Sequence, residues 1–209
     1  MDYIGCPVVV GMPLPADYKA DARIITVLER WDRTELADTY YVPSPFPSLG
    51  RDKIVSYAQY RIPTPRYVLF VDADVLPRNN TLDKLLDHDK DIVTGVYPVL
   101  NQSEITWSVS RDGQSLCKLD ELPTNLFKVK HCGFGITLVR TIVFERLGWP
   151  YWKNEYMPGQ IVKGEDVYFC EKAIAAGFDI WCDPKIKCNH IRMANYLNVV
   201  QNILKGQTK

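Results

Sequence analysis

Short apolar runs alternate with amphipathic segments through the first hundred residues, and this alternation is the strongest constraint on what the chain can fold into. The apolar runs lie at residues 7–12, 39–42, 66–71 and 92–99, and amphipathic segments at residues 20–33, 50–61 and 80–87 separate them. Apolar runs of this length predict strands buried on both faces, whereas the segments between them have the spacing of helices. Strands that alternate with helices favour a mostly parallel sheet covered by helices.

The second half of the chain predicts a more mixed arrangement. Residues 106–119, with the turn Arg111-Asp112-Gly113, have the pattern of a hairpin laid across the edge of the sheet. The patterns predict further strands at residues 126–130 and 179–182, helices at residues 141–147, 165–176 and 193–204, and an irregular aromatic segment at residues 149–159. Because no linker, repeat or low-complexity tract interrupts the pattern, residues 1–209 are predicted to form one α/β domain with a Rossmann-like sheet and a mixed C-terminal half.

Composition narrows the class of protein further. A hydrophobic share of 46% with 24% charged residues is typical of a globular chain. The 25 Lys and Arg residues balance the 25 Asp and Glu residues, which argues against a uniformly basic face for nucleic acid. No run approaches the roughly 20 apolar residues of a membrane span, and no basic leader precedes an apolar run. These features predict a cytoplasmic protein without a membrane anchor.

Six cysteines raise the question of disulfides, but none of them forms a Cys-x-x-Cys pair. Without a secretory signal, they are predicted to be free thiols that pack as small apolar residues. The pair Cys182 and Cys188 flanks Asp183-Pro184 and is the one candidate for a disulfide if the segment folds back.

The apolar run at residues 66–71 ends in Asp72-Ala73-Asp74. Open parallel sheets place their ligand sites at the carboxyl ends of the strands. Since residues two apart in an extended segment point the same way, both carboxylates can face one bound cation. Oxygen ligands of this kind indicate Mg²⁺ or Mn²⁺, which can also hold a substrate diphosphate. The alternative interpretation is that an aspartate at a strand end caps the turn that follows.

Two further motifs lie in the second half of the chain. Glu165 and Asp166 open a predicted helix after Gly164, and His190 follows the last predicted strand. Acidic residues at a helix start also suit the positive end of the helix dipole, and a single histidine is often structural. The order of the motifs is more specific than any one of them: an Asp-x-Asp strand end, then Gly133-Phe134-Gly135, then the acidic pair, then His190.

This order resembles the GT-A glycosyltransferases, particularly the compact family 2-like enzymes of bacteria and their phages, over the range Val8 to His190. The resemblance implies a GT-A fold and a metal-dependent hexosyltransferase that uses Mn²⁺ or Mg²⁺. The implied donor is a nucleoside diphosphate sugar, with a UDP-sugar favoured and a GDP-sugar possible. The acceptor hydroxyl would belong to a glycan or to a hydroxymethylated pyrimidine in DNA. A phage-encoded enzyme would act in the host cytoplasm.

The resemblance also implies roles for individual residues. Asp166 is the general base of an inverting reaction and Glu165 orients the acceptor; in a retaining reaction both would only position it. The residues implied at the donor are Gly11, Pro13, Arg51, Asp72, Gly133 and Phe134, and those implied at the metal are Asp74, His190 and Asp72. The chain departs from the family pattern at Asp52, where an asparagine is usual, and at Met12-Pro13-Leu14-Pro15.

Aromatic and basic residues of the second half point to an acceptor. Trp149, Trp152 and Tyr156 precede the acidic pair and suit stacking on a sugar or a base, or alternatively fill a gap between helices. A set of basic residues forms either a phosphate groove or a solvated face. The set consists of Lys118, Lys128, Lys130, Lys153, Lys163, Lys185, Lys187 and Arg192.

Three other classes of protein fit the sequence less well than a sugar transferase. A haloacid-dehalogenase-like phosphatase calls for Thr or Val two places after the second aspartate, where Leu76 stands. A non-catalytic sugar-binding module has no need of an acidic helix start and a histidine that converge on one strand end. A nucleotidyltransferase calls for a glycine-rich, lysine-bearing N-terminal loop that this chain lacks. Sugar transfer is therefore the favoured prediction.

Overall fold

The structure is a computed structural model that describes residues 8–17, 19–32, 37–101 and 104–191. The predicted helix at residues 193–204, Cys6 and Arg192 lie outside these described residues. Within them, no helix combines the length and the apolar character that crossing a membrane requires.

The elements of the first half follow the predicted alternation. The strands are β1 (Val8–Leu14), β2 (Ala37–Pro43), β3 (Tyr67–Val71), β4 (Val75–Leu76), β5 (Ile92–Val96) and β6 (Pro98–Asn101). The helices are α1 (Ala22–Asp32), α2 (Pro47–Tyr60) and α3 (Thr81–Asp87).

The second half adds short strands and two helices. The strands are β7 (Glu104–Trp107), β8 (Val109–Ser110), β9 (Phe127–Val129), β10 (His131–Cys132), β11 (Ile136–Arg140), β12 (Glu155–Met157), β13 (Gln160–Lys163), β14 (Ile180–Lys187) and β15 (Asn189–His190). The helices are α4 (Thr141–Leu147) and α5 (Glu165–Ala175).

A seven-stranded sheet with the order β2-β1-β3-β11-β5-β14-β9 forms the centre of the fold. β2, β1, β3, β5 and β14 run in one direction, and β11 and β9 run against them. The prediction of a mostly parallel α/β sheet with a mixed C-terminal half is therefore confirmed. β11 lies between β3 and β5, so an antiparallel strand from the second half is inserted into the sheet of the first half.

Strand β3 shows why the sheet is covered on both faces. Val68 and Phe70 pack into one apolar cluster with α2, α4 and α5, whereas Tyr67, Leu69 and Val71 pack into the other with α1 and α3. All five residues are buried. Because successive side chains of a strand point to opposite faces, a continuous apolar run is what a doubly covered strand requires.

Three segments differ from their predictions. The strand expected at residues 92–99 divides at Tyr97, so β5 stays in the central sheet and β6 pairs instead with β7. The aromatic segment expected to be irregular includes β12, which forms a hairpin with β13. The last strand expected at residues 179–182 continues as β14 to Lys187, past a bulge.

The hairpin expected at residues 106–119 is present in part. The N–H of Trp107 donates to the carbonyl of Cys117 at 2.8 Å, and the N–H of Cys117 donates to the carbonyl of Val109 at the same distance. The first arm pairs more extensively elsewhere, since β7 pairs with β6 and β8 with β10.

The cysteines of the described residues are free thiols, as predicted. Cys117, Cys132, Cys170, Cys182 and Cys188 are all buried and unpaired. The disulfide considered between Cys182 and Cys188 is not formed, because β14 keeps the intervening residues extended rather than folded back.

Candidate active site

A cavity of about 690 Å³ opens at the carboxyl ends of β1, β3 and β5. Pro13 at the end of β1, Asp72 and Asp74 after β3, and Tyr97 after β5 line it. Asp166 at the start of α5 also lines it, as does His190 of β15. The topology therefore brings the Asp-x-Asp motif, the acidic helix start and the histidine to one cavity, at the place where open α/β sheets bind ligands.

The two carboxylates of the Asp-x-Asp motif line this cavity but contact different side chains. The N–H of Val75 donates to the carbonyl of Asp72 at 3.1 Å, so the chain turns at Ala73 and Asp74 instead of continuing extended. The extended chain that the sequence interpretation assumed is therefore not present here, although both side chains line the cavity. Asp72 faces Arg51, and Asp74 faces His190.

Arg51 joins three carboxylates from distant parts of the chain. Its Nη1 lies 2.8 Å from Oδ1 of Asp166 and 3.4 Å from Oε1 of Glu165, and its Nη2 lies 3.2 Å from Oδ1 of Asp72. The guanidinium also lies over the ring of Phe134, 5.5 Å from the ring centroid. The side chain is only 3% exposed, so Arg51 organises the acidic residues and does not present its charge to the cavity.

The balance of charges in this cluster changes the pKa of its members. Burial by itself would lower the pKa of Arg51, but Asp166, Asp72 and Glu165 outweigh it and raise that pKa. Withdrawal from water raises the pKa of Asp166 to about 6, with Glu165 and Asp72 adding to the rise and Arg51 opposing it. Asp166 is therefore a carboxylate at neutral pH that holds a proton more strongly than an ordinary aspartate does.

The backbone before β11 helps to hold Asp166. The N–H of Phe134 donates to Oδ2 of Asp166 at 3.4 Å while Oδ1 accepts from Arg51. The carboxylate is fixed at both oxygens and remains 31% exposed toward the cavity. A fixed, partly exposed carboxylate with a raised pKa has the properties of a general base.

His190 and Asp74 form the second polar pair of the cavity. Nδ1 of His190 lies 2.8 Å from the carbonyl oxygen of Pro98, and Nε2 lies 3.3 Å from Oδ2 of Asp74. A carbonyl only accepts, so Nδ1 must donate to it, and in a neutral ring Nε2 then carries a lone pair directed at the carboxylate. This lone pair and the carboxylate oxygen are two acceptors that a metal ion can bind together.

The donor set of this pair fits a divalent metal, but the three-ligand site expected from the sequence is not assembled. Among the described residues, no three His, Cys, Asp or Glu side chains are grouped so that they would hold a metal. Asp72 is the missing third ligand, because Arg51 binds it. Asp74 and His190 offer one oxygen and one nitrogen, and ligands of this type suit Mn²⁺ and Mg²⁺ when the substrate and water supply the rest.

Tyr97 is a site residue that the sequence did not indicate, because it lies inside an apolar run that reads as one strand. Its ring packs edge-on against His190, with the ring centroids 5.2 Å apart, and its hydroxyl accepts from the N–H of Gly135 at 3.3 Å. A Cβ at Gly133 would lie 2.2 Å from that hydroxyl, and one at Gly135 would lie 2.8 Å from the ring. The two glycines therefore make room for Tyr97.

The remaining residues expected at the donor lie in different environments. Pro13 lines the cavity. Gly11 is buried beneath α2, where a Cβ would lie 2.2 Å from Cγ2 of Ile54, so it permits close packing of β1 on that helix. Phe134 is fully buried and contributes its backbone N–H and its ring to the Arg51 cluster.

The three aromatic residues expected at the acceptor separate into two groups. Trp152 is 3% exposed and stacks on Phe169 at 5.2 Å between ring centroids, so it belongs to the core and offers no surface to an acceptor. Trp149 and Tyr156 are 74% and 68% exposed, and neither lines the cavity. Ser108 and His131 also line the cavity, and neither was among the residues predicted to bind the acceptor.

Comparison with known proteins supports the fold independently. No family model and no curated protein sequence matches the chain. The structure of A197 from STIV superposes with a TM-score of 0.63 at 17% identity, over 89% of this chain and 86% of that one. The structure of GalNAc-T7 with UDP, GalNAc and Mn²⁺ superposes with a TM-score of 0.55 at 13% identity, over 93% of this chain and 45% of that one.

The chain has a GT-A-like fold. In this GT-A-like protein the cavity lies where β1, β3 and β5 end, and the acidic start of α5 and the histidine of β15 face it. The fold that the sequence motifs implied is therefore confirmed, although at these identities the likeness concerns the fold alone.

Proposed function

We propose that the protein is a metal-dependent glycosyltransferase of the GT-A type, which moves a hexose from a nucleoside diphosphate sugar to an acceptor hydroxyl. The observation that carries this proposal is the convergence of a fixed carboxylate, Asp166, and the Asp74–His190 pair on one cavity. Asp166 is suited to remove a proton from an acceptor, and the Asp74–His190 pair is suited to hold a cation beside a diphosphate. GalNAc-T7, whose structure holds UDP, GalNAc and Mn²⁺, has the same kind of fold.

The charge of the cavity supports a metal-assisted donor. Asp72, Asp74 and Asp166 line it, and the cationic Lys19 at its rim is already paired with Asp17 at 2.9 Å. A diphosphate would be repelled by such a surface unless a divalent cation mediated the contact. Asp74 and His190 would hold Mn²⁺ or Mg²⁺. The bound ion would act as a Lewis acid that neutralises the charge of the leaving diphosphate.

Asp166 is proposed as the base of an inverting transfer. Its carboxylate would take the proton from the acceptor hydroxyl as that hydroxyl attacks the anomeric carbon. Arg51 and the N–H of Phe134 hold the carboxylate in place, and Glu165 is close enough to the same guanidinium to help to orient the acceptor. Arg51, which the resemblance implied at the donor, is proposed here as a positioning residue.

The walls of the cavity bear on the donor. Pro13, Pro45 and Pro47 present apolar surface that suits the flat face of a base. A UDP-sugar is proposed as the donor, with a GDP-sugar as the alternative. The acceptor is proposed to be a glycan or a hydroxymethylated pyrimidine in DNA. Trp149 and Tyr156 are exposed and remain candidates for stacking on the acceptor, whereas Trp152 is buried and is no longer a candidate.

Calorimetric titration with UDP, GDP and UDP-glucose, each with Mn²⁺ and with EDTA, tests the donor site. We expect one nucleotide to bind in the presence of Mn²⁺ and to lose most of its affinity in EDTA. Absence of binding by all three with Mn²⁺ present would contradict a donor carrying uridine or guanosine.

Asp74→Asn is expected to reduce Mn²⁺-dependent binding of that nucleotide at least about tenfold, because an amide is a weaker metal ligand than a carboxylate. Asp83→Asn on α3 is the matched control, since Asp83 is an exposed aspartate that does not line the cavity. Unchanged Mn²⁺-dependent binding in Asp74→Asn would remove Asp74 from the proposed metal site.

The rate of transfer is expected to rise with pH through about 6 and to level off above it. Asp166 works only when deprotonated and its pKa is raised to about 6, so roughly tenfold more enzyme is active at pH 7 than at pH 5. The test is kcat/KM between pH 5 and 8, with donor binding measured at each pH. A rate that stays flat across this range while donor binding is also flat would contradict a base with this pKa.

A further inference from the structure

A second cleft, of about 490 Å³, adjoins the candidate active site. β15 separates the two, since its His190 lines the active-site cavity and its Asn189 lines the cleft. Each charged side chain that lines the cleft is cationic, and these are Arg23, Arg30, Arg78 and Lys187. We name it the basic cleft after these four residues.

The fold assembles the basic cleft from separate parts of the chain. Arg23 and Arg30 lie seven residues apart on α1, which places them on one face of the helix about 10 Å apart along its axis. Arg78 follows β4, and Lys187 ends β14. The cations therefore form two walls of the cleft, one on the helix and one on the strands. The sequence alone does not indicate that these residues lie close together.

Most of this positive charge is available to a ligand. In the described part of the chain, Arg30 and Arg78 form no ion pair, and both are exposed. Nζ of Lys187 lies 5.1 Å from the ring centroid of Trp107 and has no carboxylate beside it among the described residues. Arg23 is the exception, because Asp21 binds its guanidinium through two bonds of 2.8 Å.

Two of the lysines from which the sequence suggested a phosphate groove are bound by carboxylates, unlike most cations of the basic cleft. Lys128 pairs with Asp179 at 2.7 Å, and Lys163 pairs with Glu171 at 2.8 Å. Of that set, Lys187 is the residue that lines the basic cleft. A zero net charge excludes a uniformly basic face but not this local one, which lies next to an acidic cavity.

We propose that the basic cleft binds a single nucleic-acid strand through successive phosphates. Cations on two walls of one cleft suit several phosphates in series better than one. The amides of Asn79 and Asn189 add neutral donors along the same walls. A cleft that is concave fits a chain and not the flat surface of a lipid bilayer. The inference concerns binding alone and does not rest on the proposed transferase activity.

The lining also indicates how the strand is recognised. Among the described residues that line the cleft, none is aromatic, so no side chain offers a face on which bases stack. Contacts to phosphates position a nucleic acid without reading its sequence. Binding is therefore expected to be strongly salt-dependent and indifferent to sequence.

The test is the fluorescence anisotropy of a labelled 12-residue oligothymidylate, titrated with the full chain in EDTA at about 20 to 200 mM KCl. Three or four phosphate contacts give a slope of log K against log salt of about −2 to −3. Arg30→Glu with Arg78→Glu is expected to weaken binding at least about tenfold and to reduce the slope by about 1.4. EDTA removes any contribution from a metal in the active site.

Two further variants make the result specific. Lys118→Glu with Lys130→Glu changes the net charge equally at exposed lysines outside the cleft and is expected to alter affinity by less than about threefold. Arg30→Lys with Arg78→Lys keeps both charges and is expected to retain most of the binding, which excludes misfolding as the cause of a loss. Equal losses in the two glutamate variants, or no binding at the lowest salt, would overturn the proposal. So would cleft-dependent binding to phosphatidylserine vesicles without binding to the oligonucleotide.

Discussion

Replacing Asp166 by asparagine is expected to lower kcat of sugar transfer by about 10²- to 10⁴-fold while leaving donor binding unchanged. Asparagine has nearly the same shape, and its amide oxygen accepts the N–H of Phe134 or the guanidinium of Arg51. It cannot take a proton from the acceptor hydroxyl. The variant therefore removes the chemistry of this position and keeps most of its geometry.

The measurement for this variant is single-turnover transfer with saturating donor and Mn²⁺, together with calorimetric binding of the donor. Glu165→Gln is the matched control, because Glu165 shares the guanidinium of Arg51 but is not the proposed base. We expect a smaller loss for Glu165→Gln and a rate for Asp166→Asn that no longer rises through pH 6. Full transfer by Asp166→Asn would show that the protein supplies no base at this position, as in a retaining reaction.

Arg51→Met is expected to destabilise the fold by about 3–5 kcal/mol at pH 8, the largest effect on stability that we anticipate. The methionine fills much of the same volume but leaves Asp72, Glu165 and Asp166 close together without a cation. Removing one partner of a buried ionic cluster costs more than the cluster contributes, because the remaining charges stay desolvated.

The dependence of this effect on pH follows from the carboxylates. A carboxyl group whose pKa is higher in the folded state than in the unfolded state opposes folding as the pH rises between the two values. Asp166 already has this property, since its pKa is raised from 3.8 to about 6. Removing the guanidinium that opposes the rise will increase it, so the deficit of Arg51→Met is expected to be largest at alkaline pH and to shrink as the pH falls toward 5.

Urea unfolding of Arg51→Met between pH 5 and 8 measures this difference. Arg111→Met is the control, because Arg111 is exposed and outside the acidic cluster. Adding Asp166→Asn to Arg51→Met removes one of the three charges and is expected to recover part of the lost stability. A deficit below about 1 kcal/mol at pH 8, or no recovery in the double variant, would contradict the role of Arg51 as the counter-charge of the cluster.

Local patterns in the sequence were sufficient for much of the fold. The continuous apolar run Tyr67–Val71 became a strand buried on both faces, and α4 has the bounds that the spacing predicted. The strand end at Asp72 and the helix start at Glu165 were also visible. These features depend on neighbours a few residues away, so the sequence carries them directly.

The arrangement within the candidate site depended on contacts that no local pattern records. Arg51 lies in the first turn of the helix predicted at residues 50–61, and nothing in that pattern shows that it is buried against Asp166, 115 residues away. Asp72 and Asp74 read as one extended pair, yet a turn between them sends one to Arg51 and the other to His190. How deeply a charged side chain is buried, and which residue it pairs with, is decided only when the chain has packed.

The sequence by itself determined the alternation of strands and helices, the carboxylates at a strand end and the acidic start of α5, because short-range periodicity and chain geometry govern all three. Only the tertiary structure decided that β11 lies antiparallel between β3 and β5 and that Tyr97 occupies the space left by Gly133. It also decided that Trp152 lies in the core. These outcomes depend on which apolar surfaces, distant from one another in the sequence, pack together and exclude water. Patterns among neighbouring residues do not specify that choice.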